Sequence, residues 1–305
     1  MNVQGIISQN DVIVIATAII MGTMARVMTL KEDYRQYPSY PNGYFTHVVL
    51  GVIASAIGAV AIPALLAKNF TAVTFLTIAI QQFRDVRKTE ISSLKSLENT
   101  EFTTRGDAYI DGIAKTFESR NYLGLTVSFI TSLSMIITSN ILILYRILIG
   151  ICIGSITYIG IRNFTKGKQI QDIADVKIAK VDVRNSELYV DDIYVTNSLG
   201  TENSRNIVRN EAMAAIITPK SNHFRITLDN YGQRQAILFE ACRALGVKRY
   251  QFTRKEYNNG KVVIVLVPII RDEEFFIKVV KETPLLENVR KSHRLMKENI
   301  LNYKE

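Results

Sequence analysis

Thr46–Ala67, THVVLGVIASAIGAVAIPALLA, is the stretch of this chain that decides its fold. It contains no Asp, Glu, Lys or Arg, and it is long enough to cross a ~30 Å hydrocarbon layer at about 1.5 Å per residue. Ala54 and Gly58 form a small-xxx-small pair, which lets a second helix approach closely. The stretch predicts a membrane-spanning helix.

Other apolar runs lie on both sides of it. Val12–Leu30 and Ile141–Ile161 are long enough to span a bilayer. Tyr122–Ser139 is predicted to form a hairpin with the latter, turning at Asn140. Phe70–Phe83 is short for a span, but tilting or local thinning of the bilayer would let it cross. The sequence therefore predicts four or five spans.

The side on which each end lies follows from the flanking charges. Arg162, Lys166 and Lys168 come directly after the last span, which places the rest of the chain in the cytoplasm by the positive-inside rule. Five spans would put the N-terminus outside, and four would put it inside. We predict an integral membrane α-helical part over residues 1–163, with a charged cytoplasmic loop over 84–121, and a soluble α+β cytoplasmic domain over 164–305.

The soluble half combines strand and helix patterns. Asn185-Ser186 and Asn258-Asn259-Gly260 separate alternating apolar runs and predict two hairpins. The pattern favours one sheet with helices on one side. The predicted helices are Asn203–Ile217, Tyr231–Leu245, Glu273–Glu282 and Pro284–Asn299, and His223–Leu228 is predicted to be a strand.

Several classes of site are missing from the sequence. The soluble half has no phosphate-binding loop, nucleophile elbow or HExxH motif. Two cysteines and three distant histidines offer no disulfide framework and no metal site. No nucleic-acid recognition motif is present. We therefore expect no cofactor, no metal and no nucleic-acid partner.

The charged loop contains the candidate catalytic residues. Seven basic and seven acidic residues lie between Arg84 and Arg120, and the apolar spacing predicts two amphipathic helices separated by Asn99–Gly106. Three carboxylates on one helix face could share a proton or activate water. The alternative is a set of ordinary ion pairs, since Lys115 follows Asp111 at the favourable spacing of four residues. The candidate carboxylates are Asp85, Asp107, Asp111 and Glu118.

The segment Asp107–Glu118, DAYIDGIAKTFE, resembles the hallmark of the YIEGIA family of membrane proteins from spore-forming Firmicutes. The match departs at Asp111, where the family name has Glu, so the charge is kept on a shorter side chain. Gln81–Glu90 and the hairpin after Tyr122 also resemble the family. The resemblance implies a cell-membrane protein connected with sporulation, and it implies no chemistry. The motif residues are Tyr109, Ile110, Asp111, Gly112, Ile113 and Ala114.

A basic cluster in the soluble half suggests a further contact. Residues 164–305 hold 24 Lys+Arg and 18 Asp+Glu, hence +6 of the net +9. Basic side chains near a membrane are attracted to anionic head groups, although a solvated surface explains the cluster nearly as well. The lipid-facing candidates are Arg243, Lys248, Arg249, Arg254 and Lys255.

Three functions fit these features. The first is a non-catalytic membrane protein whose cytoplasmic domain binds a protein partner during sporulation. The second is a membrane-embedded protease that uses two of the candidate carboxylates at the cytoplasmic boundary. The third, transport, is the weakest, because only Arg146 lies well within a predicted span.

Overall fold

The structure, a computed structural model, describes residues 9–33, 41–165, 167–287, 289 and 295–298. The chain divides into two compact units. The helix unit comprises Met1–Ser93 and Ile113–Lys166, and the α+β unit comprises Leu94–Gly112 and Gly167–Glu305. The chain therefore enters the α+β unit, returns to the helix unit, and enters the α+β unit a second time.

Long helices account for almost the whole first half of the described chain. They are α1 (Gln9–Asp33), α2 (Pro41–Leu66), α3 (Phe70–Glu98), α4 (Asp107–Ile137) and α5 (Ile143–Thr165). Three of the described helices contain a stretch long and apolar enough to cross a membrane: Asn10–Thr29, Phe45–Leu66 and Ile143–Asn163. This confirms an α-helical part of the kind found in membrane proteins.

Two of the predicted segments are continuous with their neighbours in this half. Phe70–Phe83 continues without a break into the amphipathic segment after it, as the single helix α3. The second amphipathic segment of the loop likewise continues into the predicted span at Tyr122, as the single helix α4. The predicted break between the two amphipathic helices is confirmed, since α3 ends at Glu98 and α4 begins at Asp107.

Within the helix unit, the 121–137 part of α4 is packed on several sides by other helices. A Cβ added to Gly22 would lie 2.5 Å from the Gly124 carbonyl oxygen, and one added to Gly58 would lie 2.2 Å from that of Leu125. On α5, a Cβ at Gly154 would lie 2.5 Å from Thr131 Oγ1. Because close helix contact requires small residues, the points of close approach on α4 include Gly124, Ser128 and Thr131.

The α+β unit contains two antiparallel sheets in its described residues. The larger has the order β1-β5-β7-β6 and the smaller the order β2-β3-β4. Both predicted hairpins are present, with Asn185 and Gly260 in the left-handed region at φ 56° and 66°. The strands are β1 (Ala174–Ala179), β2 (Val181–Arg184), β3 (Glu187–Val190), β4 (Ile193–Thr196), β5 (Met213–Pro219), β6 (Gln251–Lys255) and β7 (Val262–Leu266).

Apolar residues on both faces of the larger sheet are buried. On β7, Val262, Ile264 and Leu266 belong to one buried cluster, while Val263 and Val265 belong to another. The first cluster includes residues of α9 and α10, and the second includes residues of the smaller sheet. The sequence prediction of one sheet with helices on one side therefore missed the second sheet, which covers the other face.

The remaining helices are short, apart from α9. They are α6 (Ile170–Ile173), α7 (Glu202–Glu211), α8 (Arg225–Asp229), α9 (Tyr231–Leu245) and α10 (Glu273–Glu282). The bounds of α9 and α10 match the predictions, with Asn230 capping α9 by accepting from the Gln233 N–H, and Gly246 following it at φ 68°. The predicted helix Pro284–Asn299 includes residues 288, 290–294 and 299, which lie outside the described residues.

Candidate functional site

The family motif begins in the first turn of α4, which packs on α9 within the α+β unit. We call residues 98–112, which comprise the connection from α3 and the first residues of α4, the docked loop. The Tyr109 hydroxyl donates to Glu240 Oε1 at 2.5 Å, and Arg243 Nη2 donates to Glu240 Oε2 at 2.7 Å. Tyr109 and Glu240 are both buried, at 3% and 7% exposure. One carboxylate therefore receives a hydrogen bond from the loop and another from its own helix.

Burial determines the protonation state of this tyrosine. Removal from water, and the neighbouring Glu240 carboxylate, raise the pKa of Tyr109 well above its ordinary value of 10.0. The phenol is therefore neutral at physiological pH and remains a hydrogen-bond donor. Its role in this site is to hold the loop, because a phenol that does not ionise cannot act as a base at neutral pH.

Arg105 provides a second attachment of the docked loop. Its guanidinium lies 4.6 Å from the centre of the Phe239 ring, and it donates to Glu101 Oε1 at 2.7 Å. Gly106 follows in the left-handed region at φ 82°, and its N–H donates to Glu98 Oε1 at 2.8 Å. The turn thus joins the end of α3 to the start of α4.

Cys242 lies at the third attachment. Its Sγ donates to Gln251 Oε1 at 2.9 Å, and Thr103 Oγ1 donates to the same oxygen at 2.6 Å. Gln235 Nε2 donates to the Thr104 carbonyl oxygen at 2.6 Å. Burial raises the pKa of the Cys242 thiol to about 11. This cysteine is therefore a packing residue and a poor nucleophile at neutral pH.

The candidate carboxylates are mostly engaged by basic side chains. Asp85 and Glu118 belong to the helix unit, whereas Asp107 and Asp111 lie one turn apart on the part of α4 that belongs to the α+β unit. Asp111 is half-buried. The ion pairs are Asp85 with Lys88 at 3.5 Å, Asp107 with Lys95 at 2.8 Å, and Glu118 with Arg87 at 3.4 Å.

In the part of the chain that the structure describes, no group of three His, Cys, Asp or Glu side chains could hold a metal ion.

The basic candidates are divided between ion pairs and aromatic contacts. Arg249 lies 5.6 Å from the Tyr250 ring centre, and Arg254 lies 5.7 Å from that of Tyr194. The others are paired with carboxylates: Arg243 with Glu240, Lys248 with Glu211, and Lys255 with Asp229. Arg243 is thus part of the Tyr109–Glu240 network, a role that its position in a basic run did not suggest.

Arg26 is a functional candidate that sequence reasoning missed. It lies near the end of the first membrane-length stretch, where a long side chain could reach the bilayer surface, yet it is fully buried. Its Nε donates to Asn121 Oδ1 and its Nη1 to Thr29 Oγ1, both at 3.2 Å. Its stem lies against Gly51. Gly51, a small residue in an apolar helix, leaves room for the Arg26 side chain. It is the feature of the sequence that could have indicated that Arg26 is buried.

The remaining motif residues are packing residues. Ile110, Ile113 and Ala114 are at most 2% exposed, like the following Phe117. A Cβ on Gly112 would meet Leu286 Cδ2 at 4.0 Å, an ordinary contact.

The chain matches the YIEGIA protein family over residues 14–295. It belongs to this family.

A relative of this YIEGIA protein is found among curated proteins. The chain is 36% identical over 281 residues to an uncharacterised protein of Bacillus subtilis (strain 168), YphB, and the match covers 90% of this chain and 92% of the relative. No solved structure matches the chain significantly. The similarity extends over almost the full length of the relative, and no activity is known from it.

Proposed function

We propose that this chain is a non-catalytic integral protein of the cell membrane, connected with sporulation, whose C-terminal α+β region is cytoplasmic and binds a protein partner. One observation carries the proposal: Asp85, Asp107 and Glu118 each form an ion pair with a basic side chain. A carboxylate neutralised in this way is poorly suited to activating water. The polar groups around the family motif support a structural role.

We further propose five spans, with Phe70–Phe83 and Tyr122–Ser139 crossing the bilayer in addition to the three apolar helices. The large side chains of Phe70, Phe75 and Ile78 are exposed on α3, which suits contact with lipid. The 121–137 part of α4 contains the buried hydroxyl side chains of Ser128, Thr131 and Ser132 and packs against other helices, so these polar residues do not argue against a span.

The partner-binding surface that we favour lies at the start of α10. Ile269, Ile270 and Phe275 expose 63%, 61% and 42% of their surface within a short stretch of chain. Large apolar side chains that remain exposed in a folded region are typical of protein–protein contacts. Gly246 packs closely against Ile269, because a Cβ on Gly246 would lie 2.8 Å from Ile269 Cδ1.

The test is photo-cross-linking in sporulating cells. A benzophenone amino acid replaces Ile270 in one strain and the exposed Asn203 of α7 in a control strain. We expect a discrete cross-linked product from position 270 that is absent from position 203. The absence of any product above background from position 270, in a membrane-inserted protein, would remove the main support for a partner.

The second candidate function is the membrane-embedded protease. The observation that favours it is the Arg87–Glu118 ion pair, which brings a carboxylate of α4 against α3 only two residues from Asp85. Protein N-termini would be mapped across sporulating cells that carry the wild type or a variant with Asp85, Asp107 and Asp111 all changed to Asn. Cleavage products that disappear in a stable, membrane-inserted variant would establish proteolysis. Identical profiles would leave the non-catalytic function.

A further inference from the structure

One surface of the α+β unit exposes aromatic and apolar side chains among basic ones. Tyr257 in the β6–β7 turn is 71% exposed, Tyr231 at the start of α9 is 68% exposed, and Ile226 on α8 is 40% exposed. We call these three residues, with Arg225, Arg234 and Lys255, the tyrosine–basic surface; the Arg234 guanidinium lies 5.8 Å from the centre of the Tyr231 ring.

Two basic side chains fix part of this surface. Arg225 Nη2 donates to the carbonyl oxygens of Tyr257 and Asn258, at 3.0 and 2.8 Å, which joins α8 to the β6–β7 turn. Lys255 pairs with Asp229 at the end of α8, and its Nζ lies 5.0 Å from the Tyr257 ring centre. Tyr257, Arg225 and Lys255 are therefore held together beside α8.

The charge of the surface is positive. Its basic side chains are Arg225, Arg234 and Lys255, and the acidic side chain beside them is Asp229, which is paired with Lys255, so the net charge is +2. A ligand that complements this surface must be anionic.

The combination of exposed tyrosines and basic residues fits one kind of ligand best. Tyrosine rings are enriched at the level of lipid head groups, where one end of the ring is apolar and the hydroxyl is hydrated. Lysine and arginine are attracted to the negative charge of anionic lipids. Lysine is depleted in protein–protein interfaces, whereas here Lys255 lies beside the most exposed ring of the surface, that of Tyr257.

The chain also keeps this unit near a bilayer. Asn163 ends an apolar stretch of membrane length, and β1 begins at Ala174. A tether of about ten residues spans at most roughly 35 Å when fully extended. The local concentration of lipid around the α+β unit is therefore high even for a weak contact.

We propose that the tyrosine–basic surface binds the head groups of anionic phospholipids. This goes beyond the proposed partner binding, which uses residues 269–275 and does not depend on it. It also differs from the basic cluster inferred from the sequence, because the two share Lys255 alone, and the tyrosines, Arg225 and Arg234 were not part of that cluster.

The experiment uses the full chain in lipid nanodiscs. Cys152 is changed to Ser, and a nitroxide is attached at Tyr257→Cys or, as a control, at Asn203→Cys. Discs contain neutral lipid alone or neutral lipid with an equal share of phosphatidylglycerol. The quantity measured is the ratio of the nitroxide's collision rate with oxygen to its collision rate with a water-soluble nickel chelate. At position 257 we expect anionic lipid to raise this ratio several-fold, and we expect high salt to reverse the change. Position 203 should not respond.

Matched charge reversals localise the effect. Arg234→Glu changes a guanidinium over Tyr231 in the proposed surface, and Arg184→Glu changes one over Tyr189 in the smaller sheet. Arg234→Glu should abolish the response at position 257 and Arg184→Glu should preserve it, with both variants unfolding at the wild-type temperature. The proposal would be overturned if the nitroxide at position 257 were equally accessible in the two kinds of disc. It would also be overturned if the two charge-reversal variants had equal effects, or if spin–spin broadening showed a second copy of the chain on this surface.

Discussion

Tyr109 and Glu240 form the buried hydrogen bond that attaches the family motif to the α+β unit. Changing Tyr109 to Phe removes the donor and leaves a carboxylate in a dry site with one partner fewer. A hydrogen bond to a charged group contributes about 1.5–3 kcal/mol, so the free energy of unfolding should fall by roughly that amount. Denaturant unfolding of the detergent-solubilised chain measures the change. Tyr231→Phe, at an exposed ring, is the control and should have no effect.

Cys242 offers a test based on its pKa. A thiol whose pKa rises from 9.0 to about 11 has about 100-fold less thiolate at any pH below 9, and the thiolate is the reactive form. In a Cys152→Ser background, alkylation of the folded chain should therefore be at least 100-fold slower than in the denatured chain at pH 8. The rate should keep rising about tenfold per pH unit above pH 9, as followed by mass spectrometry. A plateau near pH 9 would contradict this assignment.

Sequence reasoning identified one residue of the buried Tyr109–Glu240 pair, but not its partner. Tyr109 was found through the resemblance, but its partner Glu240 is 131 residues away in an ordinary-looking helix. Arg26 and Asn121 are 95 residues apart in the same way. Local sequence patterns give no information on such distant pairs. The periodicity of apolar residues shows which face of a helix or strand is buried, but it does not show which residues cover that face.

Among the helices, two glycines make a matched pair. A Cβ on Gly58 of α2 would lie 2.2 Å from both the Leu125 carbonyl oxygen and Ser128 Oγ, whereas a Cβ on Gly160 of α5 meets no described atom within 4 Å. Gly58→Ala should destabilise the helix unit by about 1–3 kcal/mol through overpacking. Gly160→Ala should be neutral or slightly stabilising, since alanine favours helices. Thermal unfolding in detergent distinguishes them, and equal midpoints would refute the packing of α2 on α4.

The docked loop should stabilise the α+β unit as one of its elements. A fragment of residues 167–305 lacks the loop, whereas a fusion that joins residues 94–112 to residue 167 through a flexible linker restores it. The fusion should unfold at higher denaturant concentration, and Arg105→Ala should remove part of the gain by deleting the contact with Phe239. If both proteins have the same midpoint, the loop contributes no stability.

Elements were predictable where local chemistry is strong. Asn258-Asn259-Gly260 and the Asn230 and Gly246 caps gave the β6–β7 hairpin and α9 correctly. Met213–Ile217 was predicted as the end of a helix, but it forms most of β5, the strand between β1 and β7. A short apolar run buried on both faces has no alternation that would distinguish a strand from a helix. His223–Leu228 shows the converse error: it alternates like a strand but contains a 3-10 turn and α8.

For the whole molecule, the remaining question is which side of the membrane each segment occupies. Five spans place Lys31 and Arg35, between the first two spans, in the cytoplasm, as the positive-inside rule favours. They also place Asn69 outside, whereas four spans place it inside. Both arrangements put Asn140 outside and Thr100 inside. Single cysteines at these three positions, in a Cys152→Ser background, therefore report the topology, and the buried Cys242 should not react.

Intact cells would be treated with a membrane-impermeant maleimide. We expect Asn69→Cys and Asn140→Cys to be labelled, and Thr100→Cys to be labelled only after the cells are permeabilised. Protection of position 69 in intact cells, with position 140 still labelled, would reduce the spans to four and place the N-terminus inside. Labelling of position 100 in intact cells would place the docked loop, and with it the α+β unit that it belongs to, outside, which would contradict a cytoplasmic partner.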